Sequence, residues 1–338
     1  MAFPTPDQFE GCLLGQALGD AVGYPVEGYP PLICQRYVDD ILNRGLAGEW
    51  SHYPYPFGQY SDDTQLAREL LLSLLHSERF EPEDFAQRLS GLFKTHKIVG
   101  QGKATEAAAK RLLLGFSWTD SGIYPPAAGN GSAMRAAPLG LFYFDRPEQL
   151  QRAAHDQGRI THRDPRCSAG AVAMAGAVTL ALDNQPPDPE AFANQLAQWM
   201  EAYDQDFARL VKQLPNWVPL SIDEAFAAVS PLGVDPEYQG IWQGVSPFVV
   251  TSVLWSLLSF LRTPEDYWQT ICTAIRVGGD VDTTAAMAGA VSGAHLGFSA
   301  LPQHLVKRLT DQGTWSFDQL RGLAQKLHAL KIRLQEAA

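Results

Sequence analysis

Gly278-Gly279-Asp280-Val281-Asp282-Thr283-Thr284-Ala285-Ala286-Met287-Ala288-Gly289-Ala290-Val291-Ser292-Gly293-Ala294-His295-Leu296 is the stretch on which the fold turns. From Asp282 to Leu296 it reads as a helix of small residues. A helix without a polar face belongs in a core, and small side chains let neighbouring helices approach closely. Pro165 to Leu182, with its Ala169-Gly170-Ala171-Val172-Ala173-Met174-Ala175-Gly176-Ala177 run, reads as a second, central packed helix. Outward from these two, helical spacing or start signals mark Asp7–Val22, Thr64–Ser77, Pro82–Thr95, Lys103–Leu114, Pro147–Gln157, Ser246–Leu261, Pro264–Ile275 and Phe317–Gln335. No sustained alternation of β-branched and polar residues marks a strand, and no fixed-period repeat suggests a solenoid. The expectation is an all-α, compact fold. Loops rich in Pro, Gly or aromatics break it at Tyr53–Gln59, Gly122–Gly131, Asn184–Pro189 and Leu214–Pro247, the last long enough for a cap or lid.

The same stretch opens on an acidic cluster, Asp280-Val281-Asp282-Thr283-Thr284. A second, Ser61-Asp62-Asp63-Thr64, opens the Thr64–Ser77 helix. One Asp or Thr suffices to cap a helix start. Two clusters with at least three side-chain oxygens each exceed that need. Crowded carboxylates resist ionising together unless a cation sits among them. Oxygen-only donors of this kind suit hard divalent ions such as Mg²⁺ or Mn²⁺. An EF-hand does not fit, because Asp280-x-Asp282 runs on into Thr284 and Ala285 without the turn glycine or the twelfth-position Glu.

Five segments, in order, resemble the ADP-ribosylglycohydrolases. They are Gly11 to Gly23 with Glu27 beyond it, Ser61 to Thr64, Gly129-Asn130-Gly131-Ser132-Ala133-Met134-Arg135, Thr161-His162, and Gly279 to Ala286. The resemblance implies a single orthogonal helical bundle over residues 1–338 and hydrolysis of the glycosidic bond between ADP-ribose and an acceptor. It implies two divalent cations, Mg²⁺ or Mn²⁺, on Ser61, Asp62, Asp63, Asp280, Asp282 and Thr283. It puts Glu27 beside the scissile bond, with Glu27 and Asp63 as the proton-transfer candidates. Asp20 reads as structural, bonding nearby backbone.

The resemblance also implies substrate loops. Gly100-Gln101-Gly102 precedes a helix, where exposed N–H groups suit a diphosphate. It is not a P-loop, since Lys97 stands at the first glycine position and Ala104 follows Lys103. Gly129, Asn130, Gly131 and Ser132 form the second loop, with Asn130 suited to a ribose hydroxyl. His162 is expected near the ribose. Where relatives place an adenine-stacking aromatic, this chain has Ala128; by aromatic type alone, Tyr124 and Trp242 are the substitutes.

Of 338 residues, 46% are hydrophobic and 19% charged, with a net charge of −11. That balance suits a globular protein and argues against a basic surface for nucleic acid or anionic membrane. Cys12, Cys34, Cys167 and Cys272 form no Cys-x-x-Cys pair, which fits packed thiols in a reducing compartment. The N-terminus has no basic, apolar leader, and Gln239–Leu261 suits a buried helix better than a membrane span, so the expected location is the cytoplasm. The partner is an ADP-ribosylated protein or a small-molecule conjugate. Arginine-linked, serine-linked and small-molecule acceptors share the same ADP-ribose half; analogy leans to arginine. A non-catalytic module or crystallin-like scaffold would lack Glu27 or a ligand, and this chain lacks none.

Overall fold

The computed structural model describes residues 3–183, 185–232 and 242–337. The longer helices are α1 (Pro6–Gly23), α2 (Pro31–Tyr37), α3 (Asp62–Ser77), α4 (Pro82–Lys94) and α5 (Lys103–Leu113). Short turns α6 (Trp118–Ser121), α7 (Gly131–Met134) and α8 (Ala137–Phe142) follow. Next come α9 (Pro147–Arg159), α10 (Pro165–Ala181), α11 (Pro189–Met200), α12 (Gln205–Val211), α13 (Leu214–Trp217) and α14 (Ile222–Val229). The rest are α15 (Val249–Arg262), α16 (Tyr267–Arg276), α17 (Val281–Leu296), α18 (Gln303–Val306) and α19 (Phe317–Glu336). Among the described residues, pairing outside helices is limited to single bridges such as Ile123–His162 and Val245–Gly279. The all-α expectation holds.

α1, α10, α15 and α17 are the buried centre, enclosed on nearly every face. α1 starts at a capping box, in which Gln8 N–H donates to Thr5 Oγ1 and Thr5 N–H donates to Gln8 Oε1. Its glycines recur every fourth residue, and the stripe meets α17 running the other way. A Cβ on Gly11 would collide with the carbonyl of Gly293, on Gly15 with that of Gly289, and on Gly19 with that of Ala285. The two backbones are therefore in contact. The antiparallel fit carries the C-terminal end of α1 to the N-terminal end of α17, which is where the carboxylates lie.

The turn before α17 completes this junction. Gly278 (φ 72°) and Gly279 (φ 91°) are in the left-handed region, where a side chain would be strained. Gly28 N–H donates to Gly279 O (2.8 Å) and Gly279 N–H to Tyr29 O (2.9 Å). Val245 N–H donates to Gly278 O (2.9 Å) and Asp280 N–H to Val245 O (2.8 Å). The segment holding Glu27 is thereby fixed against Asp280.

Three expectations need correction. Leu214–Pro247 is not one open loop: α13 and α14 occupy its first half, α14 starting at a Ser221/Glu224 capping box. Residues 233–241 of that expected lid lie outside the described residues. α16 begins at Tyr267, not Pro264, because Asp266 caps it by accepting from Gln269 N–H (3.0 Å). α11 and α12 were not expected at all.

Candidate active site

Four pieces of chain meet at one buried pocket: the end of α1 with Glu27, the start of α3, the start of α17, and the Gly129–Ser132 loop. Asp20, Ser61, Asp62, Asp63, Asp280, Asp282 and Thr283 are all buried, and Glu27 is partly exposed. Carboxylate oxygens of Asp20, Asp63 and Asp282 lie within 4.8 Å of one another, as do those of Glu27, Asp280 and Asp282. The two sequence clusters thus form one site, joined through Asp282.

Hydrogen bonds set the geometry. Asp20 accepts from Ser61 N–H (2.8 Å), Thr64 N–H (3.1 Å) and Thr64 Oγ1 (2.6 Å), fastening α1 to the start of α3. Asp63 Oδ2 accepts from Ser61 Oγ (2.9 Å) and Thr283 Oγ1 (3.2 Å), one hydroxyl from each cluster. Asp63 Oδ1 is buried with no partner. A carboxylate oxygen left bare in a core is costly unless something absent from the protein chain meets it. Gln16 Nε2 donates to Asp63 O (3.2 Å) and Met134 O (2.8 Å), tying α1 to α3 and α7.

Burial raises every one of these carboxyl groups. Asp20 and Asp280 are pushed up to about 6, each held down in part by hydrogen bonds, from Thr64 and Ser61 and from Asn130 and Thr283 respectively. Glu27 is pushed up to about 7 by burial and by repulsion from Asp280 and Asp20. Asp62, Asp63 and Asp282 are raised well above the usual carboxylate range by burial and by their neighbours' charges. Among the described residues, no Lys or Arg forms an ion pair with any of the six, although the Arg135 guanidinium feels the Asp62 charge. The donor set therefore fits hard cations: six carboxyl groups, one of them with a bare oxygen, and two hydroxyls.

The two loops expected to meet substrate are placed as follows. A Cβ on Gly100 would lie 3.6 Å from Asp62 Oδ1 and 3.9 Å from Tyr24 Cε2, so this loop borders the acidic pocket. Gly102 is exposed at the start of α5. Asn130 Nδ2 donates to Asp280 Oδ2 at 2.5 Å, so one of its two amide hydrogens is already engaged by a carboxylate. Ser132 Oγ is fully buried and donates to Cys167 O (2.9 Å), so its hydrogen is spent on the α10 backbone. His162 lies against Gly129 and Gly131, its ring 3.2 Å from where a Gly129 Cβ would be. Tyr124 is 60% exposed and its ring carries the Arg163 guanidinium at 4.4 Å.

Two residues at the cluster were not assigned to it from the sequence. Asp20 is structural as expected, yet it also stands within the carboxylate cluster. Gln16 received no role. Both were visible as polar residues one helical turn apart in an otherwise small and apolar helix.

A helical scaffold that converges six carboxyl groups, five of them buried, beside two glycine-rich loops defines a class: a hydrolase built around an acidic site. The family model for ADP-ribosylglycohydrolase matches residues 4–337, and the chain belongs to that family, enzymes that hydrolyse ADP-ribose linkages. An uncharacterized protein of Archaeoglobus fulgidus is 31% identical, over 97% of this chain and 98% of its own. ADP-ribosylhydrolase ARH3 of Gallus gallus is 30% identical, over 97% of this chain and 94% of its own. ADP-ribosyl-[dinitrogen reductase] glycohydrolase of Rhodospirillum rubrum is 25% identical, over 90% of each. A solved structure described as an ADP-ribosylglycohydrolase-related protein complex superposes with a TM-score of 0.70 at 26% identity, covering 96% of this chain and 98% of that one. Among the described residues no helix is long and apolar enough to cross a membrane.

Proposed function

We propose that this enzyme releases ADP-ribose by cleaving the bond between the distal-ribose C1″ and an acceptor, and that it does so only with divalent cations bound. The observation that carries the reading is the buried carboxylate cluster without a cationic partner, with Asp63 Oδ1 bare at its centre. Ser61, Asp62, Asp63, Asp280, Asp282 and Thr283 would hold two ions, Mg²⁺ or Mn²⁺, with Asp20 bracing the set. Such ions supply positive charge that neutralises the carboxylates and polarises ribose hydroxyls and water.

The chain's own groups do the rest. Ser61 and Thr283 orient the Asp63 carboxylate through its Oδ2. Glu27, whose carboxyl oxygen lies within 4.8 Å of those of Asp280 and Asp282, is placed for proton transfer, and its partial exposure lets it reach a leaving group or water. The buried carboxylates favour the positive charge that develops on the ribose. The Gly100–Gly102 loop and the α5 N-terminus receive the diphosphate. Gly129, Gly131 and His162 border the substrate ribose, beside the Asn130–Asp280 contact.

For the acceptor, the relatives weigh against the arginine lean drawn by analogy with the dinitrogen-reductase type. ARH3-named hydrolases stand at 28–30% identity and the dinitrogen-reductase glycohydrolase at 25%. We take the acceptor to follow the ARH3-named group. Serine- and arginine-linked ADP-ribosyl peptides, compared side by side with Mg²⁺, Mn²⁺ or EDTA, test both parts. Release that survives EDTA removes the metal reading, and faster release from the arginine peptide removes the acceptor reading.

A further inference from the structure

We infer that Arg135 is a positioning residue which, through Thr161, holds His162 as a neutral imidazole with its hydrogen on Nε2, so that the substrate meets a donor there. The inference rests on the reading of His162 as a substrate-side residue. Arg135 is fully buried and pairs with no carboxylate among the described residues. Its Nε donates to Gln157 Oε1 (2.7 Å), its Nη2 to Gln157 O (3.0 Å) and Thr161 Oγ1 (2.8 Å), and its Nη1 has no partner. A buried, incompletely satisfied guanidinium is costly, which argues for a task beyond packing. Gln157 in turn is held by donating to Ser132 O (2.7 Å), so the fork is aimed from the same glycine loop that borders the site.

The hydroxyl decides the tautomer. With Arg135 donating to Thr161 Oγ1, the hydroxyl hydrogen has two acceptors in reach: His162 Nδ1 at 2.8 Å and Gly158 O at 3.4 Å. The shorter contact takes it, which leaves the ring hydrogen on Nε2. Burial and the nearby Arg135 charge keep the ring neutral, its pKa lowered to about 3. The far edge of the ring lies against glycine backbone: a Cβ on Gly131 would come 2.9 Å from His162 Cε1 and 3.1 Å from Thr105 Oγ1 on the first turn of α5. An N–H placed between these loops suits an acceptor-only oxygen of a phosphate or ribose ring.

Nitrogen-15 NMR of histidine-labelled protein tests this, with Thr161→Val, Arg135→Gln and Arg135→Lys alongside the wild type. Calorimetric binding of ADP-ribose in Mg²⁺ supplies the second readout. The wild type should show His162 as the Nε2–H form. Thr161→Val and Arg135→Gln should lose that preference and weaken ADP-ribose binding by about tenfold. Arg135→Lys should recover part of both. An Nδ1–H ring in the wild type, or an unchanged tautomer in folded Thr161→Val, overturns the inference. If the wild type binds no ADP-ribose, the functional reading fails, and the tautomer still decides the Arg135 role on its own.

Discussion

Replacing Gly15 by Ala puts the α1–α17 contact on trial. Two opposing effects must be compared. Helix propensity favours Ala over Gly by about 1 kcal/mol. Against this, the new methyl would lie 2.5 Å from Gly289 O, where ordinary contact begins at 3.4 Å, and 3.2 Å from Tyr267 Cε2. The helices must separate by roughly 0.9 Å, the difference of those two distances, and overpacking of this kind costs about 1–3 kcal/mol. The Tyr267 hydroxyl, which donates to Gly15 O at 2.7 Å, is displaced as well, for about 1 kcal/mol more. Sterics win, and the net loss is about 1–3 kcal/mol. Gly91 in α4 and Gly322 in α19 have nothing within 4 Å of a built Cβ, so Ala there should stabilise by up to ~1 kcal/mol. Urea unfolding in EDTA, read at constant m, measures all three. A Gly15→Ala variant as stable as wild type, or shifted in the same direction as Gly322→Ala, refutes the contact between the backbones.

Other consequences concern the carboxylates. Asp20, Glu27 and Asp280 have folded pKa values of about 6, 7 and 6, above their ordinary 3.8 and 4.5, so the metal-free fold binds more protons than the unfolded chain and loses stability from these groups as pH rises from about 4 to 7. His162, lowered to about 3, works the opposite way up to its ordinary 6.5, so the quantity to follow is the Tm gap between Mg²⁺ and EDTA. That gap should widen from pH 5 to pH 7.5; a gap that is constant or narrows contradicts the cation reading. Asp63→Asn removes one charge from the cluster, and thermal melts should find it more stable than wild type in EDTA yet no longer responsive to Mg²⁺. Glu27→Gln should leave the Mg²⁺-dependent Tm rise intact while lowering kcat by about 10²–10⁴, the range for a lost general acid–base; steady-state kinetics at pH 7 would show an unchanged kcat if Glu27 is a bystander.

The fold class was legible because two helices, Pro165–Ala181 and Val281–Leu296, are made of residues too small and apolar for any position but the centre. The partner of α17 could have been found as well, from Gly11, Gly15, Gly19 and Gly23, whose one-turn period suits a close helix contact but was not used. α14 and α11 could have been found from Ser221-x-x-Glu224 and from Asp188-Pro189, which are start signals inside stretches that loop-forming residues had coloured. The acidic clusters were readable because their oxygens outnumber what capping uses. The commitment of Asn130 to Asp280 was not readable, nor that of Ser132 to Cys167, because each depends on which donor a buried acceptor finds nearest after folding. Arg135 was visible only as a motif residue; that it forms no ion pair among the described residues is seen only in three dimensions.

The most direct test of the central claim is ADP-ribose release from a mono-ADP-ribosylated peptide, with Mg²⁺ and with EDTA, by wild type and by Asp280→Ala and Asp62→Ala. The account predicts release with Mg²⁺ from wild type alone, abolished by EDTA and by either substitution. Release that persists in EDTA, or in both variants, would contradict it, because the buried carboxylates would then serve some purpose other than holding the cations that the reaction needs.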